Sequence, residues 1–327
     1  MTRTRTRYEL TRCPVCDSPE AAEIADRDAI RAEVERLWAF HGDRLRTGVP
    51  PRFLLDRVAF SQDPPIRLAT CRVCTHLYRN PLERTESLAA AYDEAAPEDS
   101  VLEALFETQR AAYAAQAARL TRVAGKAGRG LEVGSYVGGF LAAARVHGWA
   151  FEGVDVSERA SAFASRRGLR VTYGTIDTVR ASRPFDAVAI WNTFEQLPHS
   201  RQAVATARRL LSPGGVLVVR VPNGGFYMHW RRRLTGAWSG IAERVLAHNN
   251  LLSFPYRQGF TRHSLTRLLR EGGFEIVRTV GDTLVPIADE WTTRKGAMEE
   301  RVVKRVERAV QRGWRAPWVE VYARLSA

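Results

Sequence analysis

Leu131-Glu-Val-Gly-Ser-Tyr-Val-Gly-Gly-Phe140 begins as an apolar strand, breaks at glycines and runs on into a helix. A glycine-rich turn between strand and helix lets backbone approach a bound small molecule, and the helix N-terminus behind it favours polar or negative groups. Downstream, Trp149-Ala-Phe-Glu-Gly-Val-Asp-Val156 reads as a second strand ending on Asp155, 23 residues after Glu132. An acid at that place holds a ribose diol. Both features suit a dinucleotide or an adenosine-containing cofactor, although glycines at such a turn also serve tight packing alone.

Further outward, Val171-Thr-Tyr173, the stretch from Pro184 to Trp191 and the stretch from Gly215 to Val221 read as strands three to five. Helical stretches at 142–147, 157–167 and 202–211 separate them. Strands alternating with helices make a parallel α/β sheet, with ligands at the carboxyl ends of the strands.

Upstream, all four cysteines fall in two pairs, Cys13-Pro-Val-Cys16 and Cys71-Arg-Val-Cys74. Two CxxC pairs with no cysteine left over form a tetrathiolate zinc pattern, and four thiolates leave no open position for catalysis. Disulfides suit a secreted chain, and a redox CxxC needs one pair. The 54 residues between the knuckles exceed a compact ribbon's spacing, and Asp17 and Thr75 stand where glycine is usual. Ile30, Val34, Leu37 and Trp38 mark an amphipathic helix inserted between the knuckles, and Pro50-Pro51 and Pro64-Pro65 punctuate an extended return. After Asn80-Pro81, Ser100 and Glu103 read as a capping box for a helix burying Leu102, Phe106, Tyr113, Ala117 and Leu120.

The chain has 327 residues and a formal charge of +13, nearly all arginine: Lys126, Lys295 and Lys304 are the three lysines among 49 basic residues. Spread along the chain rather than in blocks, the arginines read first as solvated surface and second as a footprint for anions or nucleic acid. No apolar run reaches the length of a membrane span, and the first eight residues lack a signal-peptide core, so a cytoplasmic protein is expected.

From about 129 to 327 the chain resembles the class I S-adenosylmethionine-dependent methyltransferases. Glu132-Val-Gly134-Ser-Tyr-Val-Gly138 is similar to the family's acid-x-Gly-x-Gly-x-Gly loop, and Gly153-Val-Asp155-Val-Ser157 to its ribose-binding strand. Phe185-Asp186 through Asn192, followed by Glu195-Gln-Leu, resembles the fourth motif. Leu210-Leu-Ser-Pro-Gly-Gly-Val-Leu217 resembles the passage into strand five. Phe260 to Phe274 and Pro317 to Arg324 resemble the last helix and the final antiparallel strand. Cys71–Cys74 followed by Asn80-Pro81 is similar to an N-terminal zinc module carried by such enzymes of natural-product and cell-envelope sugar pathways.

The resemblance implies a Rossmann-like, doubly wound seven-stranded sheet with the last strand antiparallel, preceded by a small zinc ribbon and helical segments. It implies a ribbon module at 1–82, a helical connector at 83–124 and a catalytic domain at 125–327, with lid insertions at 223–259 and 283–315. It places S-adenosylmethionine against Glu132, Gly134, Ser135, Tyr136, Gly138, Asp155, Val156, Thr175, Ile176 and Asn192, and structural zinc on Cys13, Cys16, Cys71 and Cys74. Methyl transfer from a sulfonium needs positioning and exclusion of water, with a base only where the acceptor must lose a proton. Glu195 and His199 are the candidates for that base, ahead of His229, His248 and His263.

Two residues depart from the family pattern. Tyr136 replaces the middle glycine, so the loop is expected to bend differently after Gly134 and bring the ring to the sulfonium. Gln196 replaces a histidine that often follows the fourth-motif glutamate. Asn192-Thr-Phe-Glu195 lacks the signature of nucleic-acid amino methyltransferases. The expected acceptor is therefore a small molecule, which Phe226, Tyr227, His229, Trp230, Trp238, Phe254, Tyr256 and Arg231-Arg-Arg233 suit if it is anionic or nucleotide-linked; the same aromatics also suit a lid packed on the sheet. The rival readings are an RNA-binding or RNA-modifying protein and a non-catalytic scaffold. Met298, Val302, Val306 and Val310, with Arg301, Lys304, Arg305, Arg308 and Arg312, mark a basic amphipathic helix that packs on its own domain or a dimer mate, with a membrane surface as the rarer alternative.

Overall fold

A computed structural model of the chain describes residues 8–49, 67–84, 98–252, 254, 257–283, 291–310 and 315–326. The expected proline-marked return at 50–66, Tyr256 and Arg312 lie outside them. The N-terminal part holds β1 (Tyr8–Glu9), β2 (Ala21–Ala25), α1 (Arg27–Gly42), β3 (Arg67–Cys71), β4 (Leu77–Asn80) and β5 (Leu82–Glu83). Asp26 starts α1 by accepting the Ala29 amide, and the helix buries Ile30 and Leu37 as its periodicity predicts.

Two helices follow, α2 (Asp99–Ala112) and α3 (Ala114–Ala124), broken at Tyr113. The expected Ser100/Glu103 capping box does not form: the N-cap is Glu98, without a side-chain bond. Glu103 pairs instead with Arg167. The chain then builds β6 (Arg129–Val133), α4 (Gly139–Val146), β7 (Ala150–Asp155), α5 (Glu158–Arg166), β8 (Val171–Tyr173), β9 (Phe185–Trp191), α6 (Ser200–Leu210) and β10 (Leu211–Pro222). Next come α7 (Gly224–Arg231), α8 (Ser239–His248), β11 (Gln258–Gly259), α9 (Arg262–Glu271), β12 (Phe274–Asp282), α10 (Arg294–Val310) and β13 (Trp318–Leu325).

Seven strands form one sheet in the order β12-β13-β10-β9-β6-β7-β8. The run from β8 to β10 is parallel, and β13 lies antiparallel between β10 and β12. This is the expected doubly wound architecture. Side chains alternate across it, as a pleat requires. On β9, Ala187, Ala189 and Trp191 enter the core on one face, and Val188 and Ile190 enter the core on the other. Each of those two aliphatic side chains contributes roughly 1.5–3 kcal/mol by full burial.

A second sheet has the order β11-β4-β3-β2, so the cysteine-bearing strands take their fourth strand from beyond residue 223. The insertion at 223–259 is thereby tied to the N-terminal part rather than standing over the sheet alone. Arg231 of α7 pairs with Glu33 of α1 at 2.8 Å, and the Tyr227 hydroxyl lies between them. The insertion near 291 is tied in the same way, through Arg44 to Glu299 and the bridge of Leu45 with Thr292.

The apolar stripe of helix α10 does not pack on its own domain, one of the two packings expected of it. Met298, Val302 and Val306 are 65%, 53% and 56% exposed. The face turned inward is polar: Lys304 is buried, donating to the His248 carbonyl, Asn249 Oδ1 and Glu307 Oε2 at 2.8–3.1 Å.

Candidate active site and metal centre

Parallel strands end where their backbone carbonyls and following loops converge, and the cofactor-type residues lie along that edge. The loop after β6 has three left-handed residues: Gly134 at φ 73°, Tyr136 at 44° and Gly138 at 80°. Gly134 has no room for a side chain, since a Cβ would lie 2.6 Å from Thr193 Cγ2. The loop therefore keeps the glycine-type turn at Tyr136 and does not bend away as expected. The tyrosine takes the strain of positive φ, about 1–2 kcal/mol, with its ring half-buried against the cluster that contains Phe140 and Phe163.

Asp155, at the end of β7, is buried, and its carboxylate accepts the Tyr136 amide at 2.7 Å and the Ser157 amide at 2.8 Å. It is thus built into the loop as well as placed for a ribose. Burial raises its pKa despite these bonds. Ser157 also caps α5 through the Ala160 amide. Val156 is half-buried beside it. Thr175 begins a short 3-10 turn (Ile176–Thr178) after β8, with Ile176 buried and Thr175 exposed. A groove of about 750 Å³ runs from Asp177 along α6 between Gln202 and Leu210, lined by Arg180, Arg183 and Arg209, away from the loop's acids.

The inner end of the edge is a buried polar cluster. The Tyr113 hydroxyl, at the break between α2 and α3, lies within electrostatic reach of Arg220, Glu132, Asp282 and Glu195, and burial pushes its pKa up. Asn192, at φ 55°, donates to that hydroxyl at 3.3 Å and accepts from Arg220. Arg220 of β10 is 1% exposed; its Nε donates to Asp282 at 2.8 Å and its Nη2 to the Thr283 carbonyl at 2.8 Å. Glu320 accepts from Gln116, Arg119 and Tyr322.

Three buried polar atoms there have no hydrogen-bond partner, Glu132 Oε2, Glu195 Oε2 and Trp191 Nε1, and neither has Ser135 Oγ, which packs against Gly153 of β7. Burying such atoms unpaired is costly, which fits a site that completes its bonding with a ligand. Burial, and then Asp155, holds the Glu132 carboxyl well above the usual range. Glu195, in the 3-10 turn Phe194–Gln196 after β9, is raised to about 7 by burial, against its own amide and Arg220.

The structure brings Glu132, Asn192 and Glu195 together but not His199, which is exposed at the start of α6. His229 and His263 are also exposed, and His248 is buried against Glu299 at 3.2 Å. Sequence reading missed Tyr113, Arg220, Asp282 and Glu320. A lone arginine in Val218-Val219-Arg220-Val221, and a lone glutamate in Val319-Glu320-Val321, carried the signal.

The four cysteines also converge, with every pair of Sγ atoms within 4.8 Å. Cys13 and Cys74, and Cys16 and Cys71, are 3.5 Å apart. That is too far for disulfides and close to the roughly 3.8 Å edge of a tetrahedron of 2.3 Å zinc–thiolate bonds. The two knuckles are built alike. Asp17 donates to the Cys13 carbonyl and Thr75 to the Cys71 carbonyl, while the Cys13 and Cys71 amides donate to Ser18 and His76. Asp17 and Thr75 adopt φ 56° and 61°, taking the conformation for which glycine is usual. Cys13 is lowered to about 5, chiefly by the hydrogen bond from Cys74, whose own pKa is raised.

Residues 105–279, more than half of the chain, match the sequence family described as methyltransferase domain. The chain belongs to that family. As a methyltransferase domain it is a transferase, and its sheet is the Rossmann-like sheet of that class. A SAM-dependent methyltransferase from Thermotoga maritima is 21% identical with a TM-score of 0.43, the match covering 68% of this chain and 93% of that one. The N-methyltransferase NodS from Bradyrhizobium japonicum is 19% identical, with a TM-score of 0.41 and coverage of 68% and 97%. The same enzyme with S-adenosyl-L-homocysteine gives 16%, 0.40, 65% and 86%. No protein of curated function matches the methyltransferase's sequence.

Proposed function

We propose that this methyltransferase uses S-adenosylmethionine to methylate a small-molecule acceptor, and that its N-terminal cysteines hold structural zinc. The observation that carries the reading is the set of unpartnered buried atoms, Glu132 Oε2, Ser135 Oγ and Glu195 Oε2, beside the left-handed loop at the carboxyl edge of the sheet. The cofactor, when bound, supplies a methyl group already activated on a sulfonium. Gly134 and Gly138 give the loop its left-handed turns, packed closely against Thr193 and Leu169, Asp155 and Ser135 meet the cofactor's polar groups, and Asn192 with Tyr113 borders the space where the acceptor enters. Glu195, poised near neutrality, takes a proton from an acceptor hydroxyl or ammonium. Of the basic insertion residues, Arg231 is engaged by Glu33, leaving acceptor charge to be met by its neighbours.

The test is equilibrium dialysis with labelled S-adenosylmethionine. Wild-type protein retains about one molecule per chain, and Gly134→Val, whose branched Cβ meets Thr193, retains none. Equal retention by both sinks the cofactor site at this loop. For zinc, elemental analysis is expected to give about one ion per chain, and four freely titratable thiols in folded metal-free protein would contradict it. A second reading has one observation behind it: both oxygens of Asp155 are occupied by the Tyr136 and Ser157 amides. A scaffold that has closed its ribose site would bind neither cofactor nor product.

A further inference from the structure

Among the described residues ten large apolar side chains are exposed, and five of them lie on two helices packed together. Trp238 and Ile241 stand at the start of α8, 62% and 50% exposed, and Met298, Val302 and Val306 line α10. The helices are joined through His248 and Asn249 to Glu299, Lys304 and Glu307. Met298, Val302 and Val306 recur every four residues, so they form one stripe. At about 100° per residue, Arg294, Arg301, Arg305 and Arg308 fall on the arc beside it, and all four are exposed.

The sorting of charge on α10 is complete. Glu300 is buried, Glu299 is held by Arg44 and His248, and Glu307 by Lys304 and the Thr283 hydroxyl. The outward face therefore carries methyl and thioether groups beside cations, with every carboxylate of the helix turned inward.

We propose that this face, the outer side of α10, docks on an anionic lipid membrane surface. An interfacial helix buries its apolar side at the headgroup boundary and sets its cations among anionic lipids, each adding about 1 kcal/mol near the surface. Two other occupants fit less well. A second copy would set the same arginines opposite its own, and the one carboxylate of α8, Glu243, is already answered by Arg36. A nucleic acid answers the arginines but offers no apolar phase to the stripe. With valine and methionine rather than leucine or phenylalanine in the stripe, attachment is reversible and sensitive to salt.

Sedimentation of the full chain with vesicles tests it. Vesicles of phosphatidylcholine with about a third phosphatidylglycerol should carry the protein down, those of phosphatidylcholine alone should not, and raising salt to about 0.5 M should release it. Val302→Asp/Val306→Asp and Arg305→Glu/Arg308→Glu should each lower the bound fraction about fivefold or more, with thermal unfolding unchanged because these side chains are exposed. Equal binding to both vesicle types, or no loss in either variant, overturns the proposal. So does wild-type dimerisation abolished by Val302→Asp/Val306→Asp, or RNA binding lost only in the arginine variant.

Discussion

Asp155 joins the loop after β6 to the end of β7 by two backbone bonds. Asp155→Ala orphans both amides in a buried place, so apo protein should lose about 2–3 kcal/mol in a urea titration. Unchanged stability would leave the carboxylate to the ribose alone. Glu195 carries a pH signature. Its folded pKa, about 7, lies above the usual carboxylate value, so the folded state holds a proton that the unfolded state has released. Stability should therefore fall as pH rises from about 4.5 to 7, by roughly 2–3 kcal/mol from this group, and Glu195→Gln should remove that slope. In turnover the sign is opposite, since the base is the carboxylate: kcat should rise through about pH 7 in wild type and be about 100-fold lower in the glutamine variant. A flat wild-type profile would deny Glu195 the proton. At this scale the loop glycines and Asp155 were legible in the sequence from turn chemistry and a strand end, whereas Glu132 and Glu195 were singled out by the resemblance to the methyltransferase motifs. Tyr113 was legible only as a core aromatic, since its polar neighbours come from distant segments.

Helix α10 shows where periodicity stops informing. Met298, Val302 and Val306 predict a face, but which face is buried depends on whether the polar residues opposite find partners. Here they do, at Arg44 just after α1, at the end of α8 and at Thr283 after β12. Lys304 is the centre of that arrangement, at 2% side-chain exposure against Glu307. Lys304→Met should cost about 3 kcal/mol in chemical denaturation, because Glu307 and the His248 and Asn249 oxygens lose their shared cation. No loss would mean that the inward polar face contributes nothing. Helix α2 teaches a related lesson: Ser100 and Glu103 have the spacing of a capping box, but Glu103 is drawn away by Arg167 and the helix starts two residues earlier. The knuckles reverse it, as Asp17 and Thr75 adopt a turn that their residue types disfavour.

Across the whole molecule, the N-terminal part and the sheet domain are sewn together by segments far apart in sequence. β11 completes the cysteine sheet, Thr75 meets Thr261 at 2.9 Å, and Arg46 bonds the Thr292 carbonyl at 2.7 Å. The alternation of strands and helices made the main sheet readable, whereas a two-residue strand such as β11 has no pattern to read. With zinc on the four cysteines, as proposed, chelation should lower the melting temperature of the whole chain in one transition; an early separate transition confined to the N-terminal part would contradict this coupling. The most direct test of the methyltransferase site is isothermal calorimetry with S-adenosylhomocysteine on the folded, metal-replete chain. Binding of about one molecule per chain with a micromolar Kd, about −8 kcal/mol, is predicted, and the absence of heat and of saturation with both S-adenosylhomocysteine and S-adenosylmethionine would contradict it.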